Sequence, residues 1–195
     1  MTEDADLGVR LMRHGYQTRT ITRPTYEAAP DRWREWLPQR TRWFKGWCQT
    51  WLVHMRAPAR LAREVGWGSF WVAQVLFAGL VLSAIAHPIM IATGVWLAAG
   101  IARGVPLGVL NSTILGIDVV NITGGYATFL LLGWKTLEGR DRRGFWRIVV
   151  FTPLYWLMMS AAAWRAVWQL WRSPHRWEKT PHFRTEEFRS PAAAG

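Results

Sequence analysis

Beyond residue 66 the chain is dominated by apolar stretches, each near the ~20 residues that a helix needs to cross a bilayer. They run from about Phe70 to Ala86, Ile89 to Ala102, Leu107 to Trp134 and Ile148 to Trp171, with His87-Pro88 read as a turn between the first two. The second stretch is the shortest. Hydrocarbon offers no partner to a backbone N–H or C=O, so segments of this kind fold as helices. The fold class that follows is mainly α: a polytopic membrane protein with about four transmembrane helices.

The charge pattern agrees. The 24 Lys and Arg outnumber the 13 Asp and Glu, for a net charge of +11, and they gather before residue 66 and toward the end. A nucleic-acid binder would cluster such residues on a soluble fold. Here they flank apolar spans, so an anionic lipid surface is the expected partner and nucleic acid is not. The 15 Trp fit a membrane–water interface for the same reason. Cys48 is the lone cysteine, which excludes an intrachain disulfide and leaves a small buried thiol as the plain reading. Met1 to Gly15 is charged and lacks the apolar core of a signal peptide, so the N-terminal part is expected in the cytosol.

Ahead of the spans, Asp4 to His14 predicts a short amphipathic helix with Thr2 as N-cap, stopped by Gly15. Tyr16 to Thr22 alternates and is β-branched, which predicts a strand. Helix, glycine and strand together read as a fragment of an α/β unit. A lone strand forms no sheet, so its partners would lie outside this chain, as in a truncated or split reading frame. After a loop from Arg23 to Pro30, the stretch Asp31 to Met55 is helical and interrupted at Pro38. Trp33, Trp36, Trp43, Trp47 and Trp51 form a helical stripe flanked by Arg32, Arg34, Arg40, Arg42 and Lys45, the pattern of an amphipathic helix lying on headgroups.

Orientation is in conflict with itself. Four spans bring the basic tail back to the cytosol but leave the linker Lys135 to Arg147 outside, against the positive-inside bias. A re-entrant third segment exchanges one violation for the other. Four spans is the preferred arrangement, on the strength of a tail motif described below.

Two motifs carry chemistry. Thr2-Glu3-Asp4 and Gln39-Arg40-Thr41-Arg42-Trp43, the latter of the form Q-x-x-R-W, lie 35 residues apart ahead of the membrane spans. With the runs Thr2 to Arg13 and Thr25 to Pro30, they make the chain resemble processive family-2 glycosyltransferases, the group that holds cellulose, chitin and hyaluronan synthases. The resemblance covers most of the chain. It implies that residues 1–30 are the end of a GT-A-like α/β catalytic domain, 31–66 an interfacial helix region, 67–172 the transmembrane region and 173–195 a cytosolic basic tail. It also implies a bacterial-type plasma (inner) membrane.

The resemblance further implies residue roles. Asp4 would be the general base that takes the proton from an acceptor hydroxyl as it attacks the anomeric carbon of a nucleotide sugar, with inversion. A carboxylate suits that task. Glu3, Gln39, Arg42 and Trp43 would hold the glycan or lipid acceptor and the leaving diphosphate. The second motif has its own geometric logic: with Pro38 at the first helical position, Gln39, Arg42 and Trp43 share one face near a helix N-terminus, where an anion is favoured. A weaker likeness joins Trp177 to His182 to the gating loop of cellulose synthases. It makes Lys179 and Thr180 candidate diphosphate contacts and places the tail in the cytosol.

The family uses a divalent metal, Mg or Mn, held by an aspartate-rich D-x-D motif in an upstream half. Asp4-Ala5-Asp6 matches those letters but lies within a helix, so the metal ligands are not expected in this chain, and the chain alone is expected to be inactive. His14, His54, His87 and His175 lack ligand spacing, so no metal site is expected from them. Taken singly, Thr2-Glu3-Asp4 is an ordinary helix start and Q-x-x-R-W an interfacial basic helix; their combination carries the reading. Asn111, Asp118 and Asn121 fall inside the third span, and either line a polymer path or sit in a helix interface built on Gly116, Gly124 and Gly125. The rival functions are a non-catalytic membrane anchor or scaffold, and a small transport component supported by Asp118 alone.

Overall fold

The computed structural model describes residues 3–19, 30–137, 139–175 and 178. Its helices are α1 (Glu3–Arg13), α2 (Trp33–His54), α3 (Pro58–Val65), α4 (Trp67–Gln74), α5 (Leu80–Ala102), α6 (Val109–Thr136) and α7 (Phe145–Arg172). A π-helical turn at Val75–Gly79 joins α4 to α5, and a 3-10 turn at Gly139–Gly144 precedes α7.

Local chemistry explains the short helices. α1 starts on Glu3, Asp4 and Asp6 and ends on Arg10 and Arg13, charges that oppose the helix dipole at both ends. Gly15, at φ +80°, then turns the chain in a conformation other residues resist. α3 opens on Pro58, where the missing N–H costs nothing. Gly66, also at φ +80°, separates it from α4.

The core lies between α2, α5 and α7. Trp36 and Phe44 of α2 pack with Val81 of α5 and with Ala162, Ala163 and Ala166 of α7. The three alanines are completely buried. Small side chains let the α7 backbone come close, so that packing rather than hydrophobic transfer holds helices in an apolar medium. A second, smaller core joins Val9 of α1, Leu61 and Ala62 of α3 and Phe70 of α4.

Three expectations are corrected. First, no strand exists among the described residues, so the fragment of a GT-A-like α/β domain is not there. Tyr16–Arg19 is irregular, while Thr20 to Thr22 lie outside the described residues. A single strand-like run has no edge to pair with, and α1 instead packs as one more helix of the bundle. Second, among the described residues three helices rather than four are long and apolar enough to cross a membrane: Trp67–Ala102, Val109–Thr136 and Arg142–Arg172. The turn expected at His87-Pro88 is absent, because Pro88 sits inside α5. Proline removes one helical bond, to the Ala84 carbonyl. The same turn gains a bond from α7, where Trp164 Nε1 donates to the Ile85 carbonyl at 3.2 Å, the kind of rescue by a neighbouring helix that membrane helices allow. Third, α2 begins at Trp33 and passes through Pro38 without interruption.

Along α5 and α7 the partners run in opposite senses. Ile85 is bonded to Trp164, whereas His87 stacks edge-on against Trp156. The two helices are therefore antiparallel, and α6 joins the ends remote from α2. Tyr126 of α6 donates to the Val149 carbonyl of α7. A cavity of about 820 Å³ opens between α5, α6 and α7, bordered by Ser83, His87, Asn121, Gly125, Trp156 and Ser160.

If the alanine face sets the α2–α7 distance, Ala163→Leu should destabilise the bundle by ~1–3 kcal/mol through overpacking. Thermal unfolding in detergent should show a lowered midpoint; an unchanged midpoint would contradict the close approach.

Candidate functional site

α2 holds the site together. Gln39, Arg42 and Trp43 lie on it as expected, but not near its N-terminus. Arg42 is nine positions past Trp33, about 13 Å of rise, so the dipole of α2 offers no anion site there. What Arg42 does have is a neighbouring segment. Its Nη1 donates to the main-chain carbonyl of Glu178 at 3.2 Å.

That contact belongs to a strap. The Glu178 carboxylate accepts from both terminal nitrogens of Arg165 on α7, at 2.9 and 2.8 Å, and from Gln169 at 3.0 Å. A forked guanidinium–carboxylate pair fixes orientation as well as position. One turn beyond Arg42, Lys45 donates to the Ser173 carbonyl at 2.8 Å, and Gln49 reaches the Pro174 carbonyl at 3.1 Å. Lys45 is 1% exposed. A buried ammonium must be matched by acceptors, and here it sits at the carbonyl-rich C-terminus of α7, the end of a helix that favours a cation. Arg42, Lys45 and Gln49 thus present one face of α2 to the segment after α7.

The sequence reading missed Lys45, Gln49, Arg165 and Glu178. The available signal was spacing: Arg42, Lys45 and Gln49 stand at i, i+3 and i+7, a polar stripe within a Trp-rich helix. Lys179 and Thr180 lie outside the described residues.

Two details define what the motif can bind. The Arg40 guanidinium lies over the Trp43 ring, 4.2 Å from its centroid. One face of the ring is therefore occupied by a cation–π contact, and a sugar would have to use the remainder of a side chain that is 41% exposed. Gln39 Oε1 and Thr41 Oγ1 are buried and, among the described residues, have no hydrogen-bond partner. Such an acceptor is costly to leave unmade.

Glu3 and Asp4 are exposed on α1. The structure does not place them beside Q-x-x-R-W. α1 is tied to the opposite end of α2, through His54, which is twelve positions and about 18 Å of rise from Arg42. His54 Nε2 meets Asp6 Oδ1 at 2.9 Å and His54 Nδ1 meets Arg13 Nη1 at 3.2 Å. Arginine only donates, so Nδ1 must carry the lone pair and Nε2 the hydrogen. The geometry selects a neutral imidazole. The electrostatics agree: burial lowers the His54 pKa and outweighs the opposing pull of Asp6. Burial raises the Asp6 carboxyl, but Arg10 and His54 overcome it and leave a net lowering. Asp6, whose letters suggested a metal motif, is therefore part of a helix-docking network.

Among the described residues, no group of three or more His, Cys, Asp or Glu is placed to hold a metal ion. The described residues therefore do not fit the divalent ion that the resemblance implies. In α6, Asp118 is buried and its Oδ2 has no hydrogen-bond partner among the described residues. Asn121 is bonded within its own helix, to the Ile117 carbonyl at 3.1 Å.

A family model described as Glycosyl transferase family group 2 matches residues 1–177. No curated protein and no solved structure matches the chain.

The His54–Asp6 link sets a pH dependence. Because the folded-state His54 pKa is depressed, docking of α1 is fully supported above the ordinary imidazole value of about 6.5 and weakens as pH falls below it. The depressed Asp6 acts in the same sense, at pH below the ordinary carboxylate range. Amide protection along α1, taken relative to the intrinsic exchange rate at each pH, should fall between pH 7 and pH 5. His54→Gln should lower it at pH 7 and flatten the dependence; a variant that keeps the wild-type pH profile would exclude His54 as the titrating group.

Proposed function

The chain belongs to glycosyl transferase family group 2, and we propose that it is the membrane-embedded, acceptor-side portion of such an enzyme, acting on its own as an anchor and scaffold. The observation that carries this reading is the strapped face of α2. Arg42 of Q-x-x-R-W is held next to the segment after α7, with the unpartnered Gln39 Oε1 close by in sequence on the same helix. In this reading Arg42 supplies the cation for a leaving diphosphate, Gln39 bonds a sugar hydroxyl and the open part of Trp43 packs on a sugar ring. Glu3 on α1 and Lys179 and Thr180 in the tail are further contacts to acceptor or diphosphate. The acceptor is a growing glycan or a glycolipid, and the donor a nucleotide sugar. The cellulose, chitin and hyaluronan synthase branch of the family is the nearest likeness in motif.

The absence of a sheet and of a metal-holding cluster among the described residues supports a non-catalytic role for the chain by itself. The purified chain in nanodiscs, given nucleotide sugars and Mg or Mn, should show no sugar transfer. Turnover above background would refute the scaffold reading.

The chain is an integral membrane protein, with helices long and apolar enough to span. α2 and the end of α7 meet at the strap, so we place the N-terminal helices and the tail on one side, the cytosolic face of a bacterial-type inner membrane, an arrangement in which only two of the three membrane-length helices cross completely. Where a donor site with its metal is supplied, Asp4 is the proposed general base and inversion the stereochemical outcome. Asp4→Asn in such an active assembly should lower transfer by ~10²–10⁴-fold without changing membrane insertion. Transfer at the wild-type rate would remove Asp4 from that role.

A further inference from the structure

We propose that the cup between α1 and α3 binds the phosphate of an anionic phospholipid headgroup. The cup has a volume of about 340 Å³ and is lined by Arg10, Arg13, His14, Arg60 and Glu64. Three guanidiniums and an imidazole there face a single carboxylate.

The arginines are held rather than neutralised. Glu64 bridges two of them, accepting from Arg13 Nε and Arg60 Nε at 2.6 Å each. Hydrogen bonds from Arg13 and Arg60 hold its carboxyl at about 2, so it stays ionised at any working pH. Arg10 is anchored from beneath by Asp6, Nε to Oδ2 at 2.8 Å. In each pair the arginine is gripped by its Nε edge. Among the described residues, the terminal nitrogens of Arg10 and Arg60 have no hydrogen-bond partner. These forked donors suit phosphate oxygens.

Position selects the lipid over a free ion. α3 is the last element before the first membrane-length helix, from which it is separated by Gly66 alone. Leu61 and Ala62 of α3 are buried against Phe70 at the start of that helix. Trp67 and Trp71 beside them are 65% and 61% exposed, as indoles at the headgroup level are. Arg56 and Arg63 add exposed positive charge to the same short stretch. A basic cup beside an aromatic belt, at the mouth of a span, matches the sites where headgroup phosphates are held. The cup lies at the His54 end of α2, about 18 Å of rise from Arg42, so it is separate from the strapped face and does not depend on any role in sugar transfer.

Native mass spectrometry of the full chain tests this, with phosphatidylglycerol and phosphatidylcholine of identical acyl chains as probes. Phosphatidylglycerol should be retained at least five-fold over phosphatidylcholine. The double variant Arg10→Gln/Arg60→Gln should lose that preference, while Arg142→Gln/Arg147→Gln, in the 3-10 turn before α7 and the first turn of α7, should keep it. Glu64→Gln, which removes the only carboxylate of the lining, should retain or raise binding; this keeps the test decisive if the double variant loosens α1. Millimolar inorganic phosphate should not displace the lipid. Equal retention of both lipids, loss of binding in Glu64→Gln, an unaffected double variant, or full displacement by inorganic phosphate would each overturn the assignment.

Discussion

The close approach of α2 and α7 is the constraint on which the other features rest. It depends on Ala162, Ala163 and Ala166, whose fully buried faces admit Trp36 and Phe44. A bulkier stripe on α7 would push α2 outward and take Lys45 away from the Ser173 carbonyl. A buried ammonium would then lose that acceptor, a destabilising change. Packing and polar chemistry are thus coupled: small residues set a distance, and the distance lets a charged side chain be buried with its partner.

α2 is held at both ends by different chemistry. At one end, Arg42, Lys45 and Gln49 donate to main-chain carbonyls after α7. At the other, a neutral His54 joins Asp6 and Arg13 of α1. The first set joins side-chain N–H donors to main-chain carbonyls. The second contains an imidazole whose protonation would place an N–H against a guanidinium. The residues proposed for the acceptor side, Gln39, Arg42 and Trp43, occupy this helix that is fixed at both ends.

Much of this was legible in the amino-acid sequence, for identifiable reasons. The membrane class followed from long apolar runs, and the family resemblance from residues that stand at recognisable spacing. The errors came where tertiary context overrode local rules. Pro88 looked like a turn because proline breaks an isolated helix; a donor from α7 supports that turn, and no single-segment rule contains that donor. Pro38 looked like a helix start for the same reason, yet α2 begins five residues earlier. Tyr16 to Thr22 had strand composition, but there is no strand among the described residues for it to pair with. The strap could not be inferred, because Arg42 and Glu178 are 136 positions apart and nothing in either neighbourhood names the other.

The joined helix from Trp67 to Ala102 has a consequence for how the protein sits in lipid. Its 36 residues amount to about 54 Å. A hydrocarbon core of ~30 Å, crossed at a steep tilt of ~40°, accommodates about 39 Å of helix, or roughly 26 residues. About ten residues must therefore stand outside the hydrocarbon. α4 is the natural part to emerge, since it packs on α1 and α3 and its Gln74 is bonded to Trp51 of α2 at 2.8 Å. The excess length becomes a stalk. It sets the height of α1, α2 and α3 above the membrane core, and any thinning or thickening of the bilayer would alter its tilt and carry those helices with it.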